Sequence, residues 1–223
     1  MLAAVVCPHP PLLIPAVASG AASELDELRA ACDVAITSAL AVAPERVVVV
    51  GAGRATHQWP ADAADALPDL GLPGPAGELP LSLTVGRWLL DRAGWDGPRE
   101  LHSIAAGADA ADCVSLGAAL ASADVLLVMG DASARRSLAA PGHLDDRAET
   151  FDATVASALA TADADALLKL DIGLAHDLLA AGRPAWQVLA GAAHAAGGRW
   201  NGTLHADIAP YGVGYLVASW LRA

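Results

Sequence analysis

Four consecutive valines, Val47–Val50, run into Gly51-Ala52-Gly53, and this stretch restricts the fold more than any other in the chain. A β-branched run without polar alternation needs apolar partners on both faces. In a water-soluble fold that means an inner strand of a largely parallel sheet with helices on either side. Two other short apolar runs have the same design. Leu2–Val6 ends in Cys7-Pro8-His9-Pro10-Pro11, where each proline fixes φ and restrains the residue before it, and Val125–Met129 ends in Gly130-Asp131. Between the first two runs, Leu25, Leu28, Cys32, Ile36 and Leu40 recur at helical spacing behind Ser23, an expected N-cap with Asp26 three residues on. Together these predict a βαβ unit with His9 and the 51–59 loop at carboxyl ends of strands. In open α/β sheets that edge is where ligands bind.

Further along, the spacing predicts helices over 82–92 (closed by Gly94), 109–121, 146–160, 164–170, 173–181 and 184–195. Strands are expected over 99–105 and 212–219, and residues 59–80, rich in Pro, Gly and Asp, read as an irregular excursion. No Ser/Gly linker or charge run divides the 223 residues, so residues 1–223 are expected to form one α/β domain. A chain of this length buries enough surface to be stable without disulfides or structural zinc. Its apolar content is mostly Ala, Val and Leu, with only 4% aromatic residues, which implies a core of small side chains packed closely.

The formal net charge of -12, with 13 scattered Lys and Arg, argues against nucleic acid and against an anionic membrane surface. The mean hydropathy of +0.43 invites a membrane reading, but no window supplies the ~18 uninterrupted apolar residues a spanning helix needs. The first 17 residues lack a basic n-region and carry four prolines, unlike a signal peptide. Cys7, Cys32 and Cys113, odd in number and far apart, read as reduced thiols of a cytoplasmic protein.

The segments "AAVVCPHPPLLIPAV", "RVVVVGAG", "VLLVMGDASARRSLAAPGHLDDRAETFDATVASAL", "AAGRPAWQVLAGA" and "APYGVGYLVASW" occur in that order. In order and spacing they resemble the catalytic-subunit (B-type) family of class III extradiol ring-cleavage dioxygenases, most nearly its Memo-like branch, over nearly the whole chain. The resemblance implies a mixed sheet flanked by helices on both faces. It also implies non-haem Fe(II) at the carboxyl edge, held by two histidines and a carboxylate, with open positions for a catecholate and dioxygen. His9 matches the first metal histidine. The second falls on Gly53, the proton-transfer histidine on Ala134 within Gly130-Asp131-Ala132-Ser133-Ala134, and the third ligand near Ala180-Ala181-Gly182. One ligand of three remains, and a lone imidazole does not hold Fe(II) against water and cellular chelators.

Three readings follow. The first is a catalytically degenerate member that keeps a pocket for a small molecule or a protein partner, with no cofactor. Its ligand-binding candidates are His9, His57, Asp131 and Arg135, and Asp131 and Ser133 are its only catalytic candidates. The second is a working Fe(II) enzyme with rearranged ligands, His9 and His57 plus Asp131, Asp207 or His205. The third is a metal-free hydrolase using Cys7, which alternates with His9 if the first strand persists. Each residue also has an ordinary reading: His57 as a solvated histidine near Trp59, Asp131 as a cap, Arg135 and Arg136 as surface charges. His143 and His205 lie in expected loops, and His102, His176 and His194 in expected regular structure without the paired spacing of a helical metal site. Gly51-Ala52-Gly53 is too short for a dinucleotide fingerprint, and Gly212 and Gly214 suit close backbone packing near the pocket. A homo-oligomer is compatible with all three.

Overall fold

In the computed structural model, which describes residues 1–75 and 77–223, the three apolar runs lie side by side at the centre of a seven-stranded mixed sheet. The strands are β1 (Ala3–Cys7), β2 (Val47–Gly53), β3 (His57–Trp59), β4 (Arg99–Ala105), β5 (Val125–Met129), β6 (Trp200–Ile208) and β7 (Tyr215–Arg222). Their order is β3-β4-β2-β5-β1-β7-β6, with β4, β2, β5 and β1 parallel and the outer β3, β7 and β6 antiparallel to their neighbours. The helices are α1 (Pro15–Ala18), α2 (Asp26–Leu40), α3 (Leu81–Arg92), α4 (Ala110–Leu120), α5 (Ala148–Thr161), α6 (Ala164–Leu168), α7 (Ile172–Asp177) and α8 (Arg183–Ala196).

The valine run is buried on both faces, as its composition requires. Val47 and Val49 pack with Val5, Leu127 and the helices α2 and α3, whereas Val48 and Val50 pack with Val6, Val128 and the α4–α8 side. The expected βαβ unit is present with one difference: β5 inserts between β1 and β2, and pairs in parallel with both. Ser23 is not the cap of α2. It lies in a 3-10 segment, Ser19–Leu25, and α2 starts without a side-chain cap. Asp109, Asp163 and Asp171 do cap α4, α6 and α7, each accepting the N–H three residues on. Ala76, within the irregular excursion, lies outside the described residues.

Two elements depart further from expectation. Helix α7 is shorter than 173–181 and stops at Asp177, followed by Leu179 at φ 57°. Strand β6 was not foreseen, because Asn201, Gly202 and Asp207 are poor strand formers and its pairing with β7 shifts register between Leu204 and Ala206. Gly202 has a packing reason: a Cβ there would lie 2.6 Å from the Leu159 carbonyl oxygen of α5. Among the described residues no helix is long and apolar enough to cross a membrane.

The small-residue composition finds its use where α4 crosses α8. A Cβ on Gly117 would sit 2.2 Å from the Val188 carbonyl oxygen, and one on Gly191 would sit 2.7 Å from the Val114 Cα. The helices therefore touch backbone to backbone, and α8 is buried from Arg183 through Ala193. Gly117→Ala raises intrinsic helix propensity by about 1 kcal/mol, yet the overpacked crossing is expected to outweigh that gain. A net loss of about 1–3 kcal/mol in urea denaturation is the expected result; a neutral or stabilised variant contradicts the close crossing.

Candidate functional site

The carboxyl ends of β2, β5 and β1 form one edge, and the loop after β1 is tied to the loop after β5. The Gly130 N–H donates to the Cys7 carbonyl at 2.9 Å, and the His9 N–H donates to Asp131 Oδ1 at 2.7 Å. His9 Nδ1 lies 3.6 Å from that same carboxylate oxygen, too long for a hydrogen bond but close enough for attraction. The His9 residue is 8% exposed and its Nδ1 is buried without a hydrogen-bond partner. Asp131 thus orients the proline-bounded loop, accepting from His9. Its own carbonyl accepts the Gly182 N–H at 2.8 Å, which brings the start of α8 to the edge.

Beyond Asp131 the chain is tied to the segment before β7. Ala132 N–H donates to Gly214 O, Gly214 N–H to Ser133 O, and Arg136 N–H to Gly212 O. Ser133 is buried, and it turns away from His9. Its N–H and its hydroxyl both donate to Asp152 of α5, at 2.8 and 2.7 Å, and Arg136 Nη1 lies 3.1 Å from Asp152 Oδ2. Ser133 therefore ties its hydroxyl proton to Asp152 rather than to the His9 edge. Burial pushes the Asp152 carboxyl above its ordinary value, and the bonds from Ser133 and Arg136 offset part of that. Gly214 makes room for the group, since a Cβ there would lie 2.4 Å from Asp152 Oδ2. Asp152 lacked a signal in the sequence: an aspartate inside a helix reads as a solvated side chain.

Two tyrosines also border the edge unannounced. Tyr215 is 4% exposed at the start of β7, and burial, then the Asp131 charge, push its phenol well above the ordinary value. Tyr211, at φ 58°, donates its hydroxyl to Glu24 at 2.6 Å. Below the edge, Trp186 is fully buried against Gly130 and Gly182, where added Cβ atoms would meet its indole at 3.0 and 2.3 Å.

The remaining candidates do not converge on His9. His57 is not in a loop; it is exposed on the edge strand β3, edge-on to Trp59 at 4.9 Å between ring centroids. Strand β3 lies four places from β1, roughly 19 Å across the sheet at the usual strand spacing. Asp207 is exposed on β6, and His205, at the register shift of β6, bonds Ser219 Oγ through Nε2 at 2.8 Å, with its pKa lowered by burial. His143 is exposed in a turn at φ 61°, His176 is exposed on α7, and His194 pairs with Asp165 at 3.1 Å. His102 is buried in β4, 3.4 Å from Glu100. Arg135 has a buried, unpartnered Nε and forms none of the ion pairs found among the described residues. Cys7 is fully buried against α2; burial and the neighbouring Cys32 thiol push its pKa far up, opposite to what a nucleophile needs.

The iron ligands that the family resemblance implies do not fit these residues. At Gly53, the last residue of β2, a Cβ would lie 2.8 Å from Ser103 Cβ and 3.1 Å from Pro80 Cγ, so a side chain there requires Ser103 and Pro80 to shift. Ala134 and Ala180 offer no donor atoms, and among the described residues no three His, Cys, Asp or Glu side chains come together as a metal site.

No protein-family model and no curated protein matches the chain. Among solved structures, that of an uncharacterized protein from Escherichia coli K12 is similar over 99% of this chain and 100% of that one. The TM-score is 0.55 and the identity 14%. At that identity the likeness shows the shared fold alone.

The buried carboxylate sets a pH dependence. Because the folded-state pKa of Asp152 is raised, its stabilising contribution is complete below the unfolded carboxylate value and is lost as pH rises through the folded one. Asp152→Asn removes that titration. Urea midpoints measured across the acidic range are expected to rise more steeply with pH in the variant than in the parent, whatever the absolute loss; identical slopes contradict the raised pKa.

Proposed function

We propose that the chain is a catalytically degenerate relative of the class III extradiol dioxygenase B-type proteins. In this reading it is a cytosolic protein that binds a small, hydrogen-bonding molecule at the carboxyl edge of the sheet beside His9 and Asp131. The observation that carries the reading is the closed position at Gly53. The segment order supports the family, and the first metal histidine is present. Yet the position that would hold the second ligand carries a glycine, and a Cβ there would crowd Ser103 and Pro80.

What remains at the edge suits binding. A buried imidazole and a carboxylate lie side by side, a tyrosine borders them, and the loops that carry them are fixed by backbone bonds. Such preorganised polar groups on rigid supports hold a ligand without further ordering cost. The rearranged iron site draws no support from His57, four strands away, nor the Cys7 hydrolase from a thiol without solvent access.

Purified protein reconstituted anaerobically with Fe(II) is expected to open neither catechol nor protocatechuate rings after air is admitted. Yellow ring-opened product formed faster than with free iron overturns the reading. A second measurement separates a missing side chain from a missing site. Gly53→His, which restores the family residue type, is expected to gain no iron by metal analysis and to lose about 1–3 kcal/mol of stability from overpacking. Stoichiometric iron in that variant would mean that the site survives and only the ligand was lost.

A further inference from the structure

We propose that the carboxyl edge takes an organic cation, a small molecule with a primary ammonium group, seated over His9 between Asp131 and Tyr215. The inference rests on the binding reading above and names its ligand class.

Register supplies the first argument. Strands β1 and β5 pair in parallel with Cys7 beside Met129, so two residues on His9 stands beside Asp131, and the bond from the His9 N–H to Asp131 Oδ1 ties the two together. Strands β1 and β7 pair antiparallel with Val6 beside Ala218, and the same register carried three residues on sets Tyr215 beside His9. Asp131, His9 and Tyr215 thus form one row across three neighbouring strands, about 4.8 Å apart at the usual spacing. By alternation the row lies on the α2–α3 face, since Cys7, Met129 and Val217, two residues below it, pack in that layer.

Unmet polar atoms supply the second argument. Asp131 Oδ1 accepts the His9 N–H, but Oδ2 accepts no bond among the described residues. His9 Nδ1 is buried without a partner and faces Asp131 Oδ1 at 3.6 Å, so a proton on Nδ1 is attracted there and Nε2 is left as an acceptor. Tyr215 lies close enough to feel the Asp131 charge, and among the described residues its hydroxyl makes no hydrogen bond. The Asp131 and His9 side chains are 17% and 11% exposed, so the row is mostly out of water yet open to a ligand.

Charge decides what the ligand carries. A carboxylate largely removed from water needs a cation or several donors, and Asp131 has one backbone N–H. Nearby arginines are already engaged. Arg29 donates to the Leu12, Leu13 and Ala22 carbonyls and to Asp26, and Arg136 is held by Asp152 of α5, which packs in the opposite layer. The net charge of -12 draws cations toward the molecule and repels anions. A primary ammonium brings three donors and no acceptor, which matches Asp131 Oδ2, His9 Nε2 and the Tyr215 oxygen.

The test titrates the full chain with benzylammonium, benzyl alcohol and benzoate, which share a ring and differ in the charge of the head group. The readout is the His9 ring resonance in NMR, identified by its absence in His9→Gln. Benzylammonium is expected to shift that resonance saturably and to bind about tenfold or more tightly than either of the others. Asp131→Asn keeps an oxygen for the His9 N–H and removes the charge. It is expected to abolish the preference for benzylammonium, with the thermal midpoint reporting whether the variant folds. Saturable binding at His9 that favours benzoate or benzyl alcohol, or that discriminates among none of the three, overturns the cation and leaves the binding reading standing. A preference that survives Asp131→Asn in a folded variant also overturns it. If no probe moves the His9 resonance at tens of millimolar, or only another histidine responds, the cation and the binding reading fall together.

Discussion

The carboxylate of Asp152, buried where α5 passes beneath the loop after β5, organises the carboxyl edge of this sheet. It accepts two bonds from Ser133 and faces Arg136, so one side chain helps hold residues 133–136 against 212–214. Charged groups rarely go inside unless donors meet them, and here the donors are a backbone N–H, a hydroxyl and a guanidinium. Gly214 must lack a side chain for the same reason. Asp131, two residues before Ser133, is thereby delivered to the His9 loop, and the arrangement of the candidate site follows from a residue that is not part of it.

The central strands were legible because their chemistry leaves one solution. Val47–Val50 and Val125–Met129 cannot face water on either side, and the chain placed them where two layers of helices meet. The helices over 81–92 and 110–120 were legible for a related reason, apolar periodicity bounded by Asp109 or closed by Gly94. Strand β6 escaped because its stability comes from partners rather than from its own residues: Gly202 serves α5, and Asn201 and Asp207 tolerate an edge that water reaches. Single-sequence reading prices each residue by its own preference, and an edge strand is where tertiary context most often overrides it.

The site was half legible. His9 between prolines and Asp131 after a buried strand were found from local pattern, and the structure joins them. His57 was drawn in by its nearness to Gly53 in sequence, but β3 pairs on the outer side of β4, which sets the residue across the sheet from β1. Ser133 was only partly legible, for a different reason. A serine after a buried strand looks available until its acceptor is known, and that acceptor, Asp152, lies nineteen residues on in a helix. Long-range polar pairs of this kind leave no spacing to read.

Glycine at the end of an inner strand has a structural consequence that any residue with a side chain would lack. Once position 53 carries no Cβ, its neighbours are free to move in. Ser103 of β4 has done so, with its hydroxyl donating to the Ala55 carbonyl and accepting from the Trp59 indole. Those bonds anchor the start of β3, the very segment that carries His57 outward. The closing of the space beside Gly53 and the outward placement of His57 therefore meet in one packed group, centred on Ser103. Opening that space would cost the bonds that hold β3 to the sheet, so the stability of the fold keeps it closed.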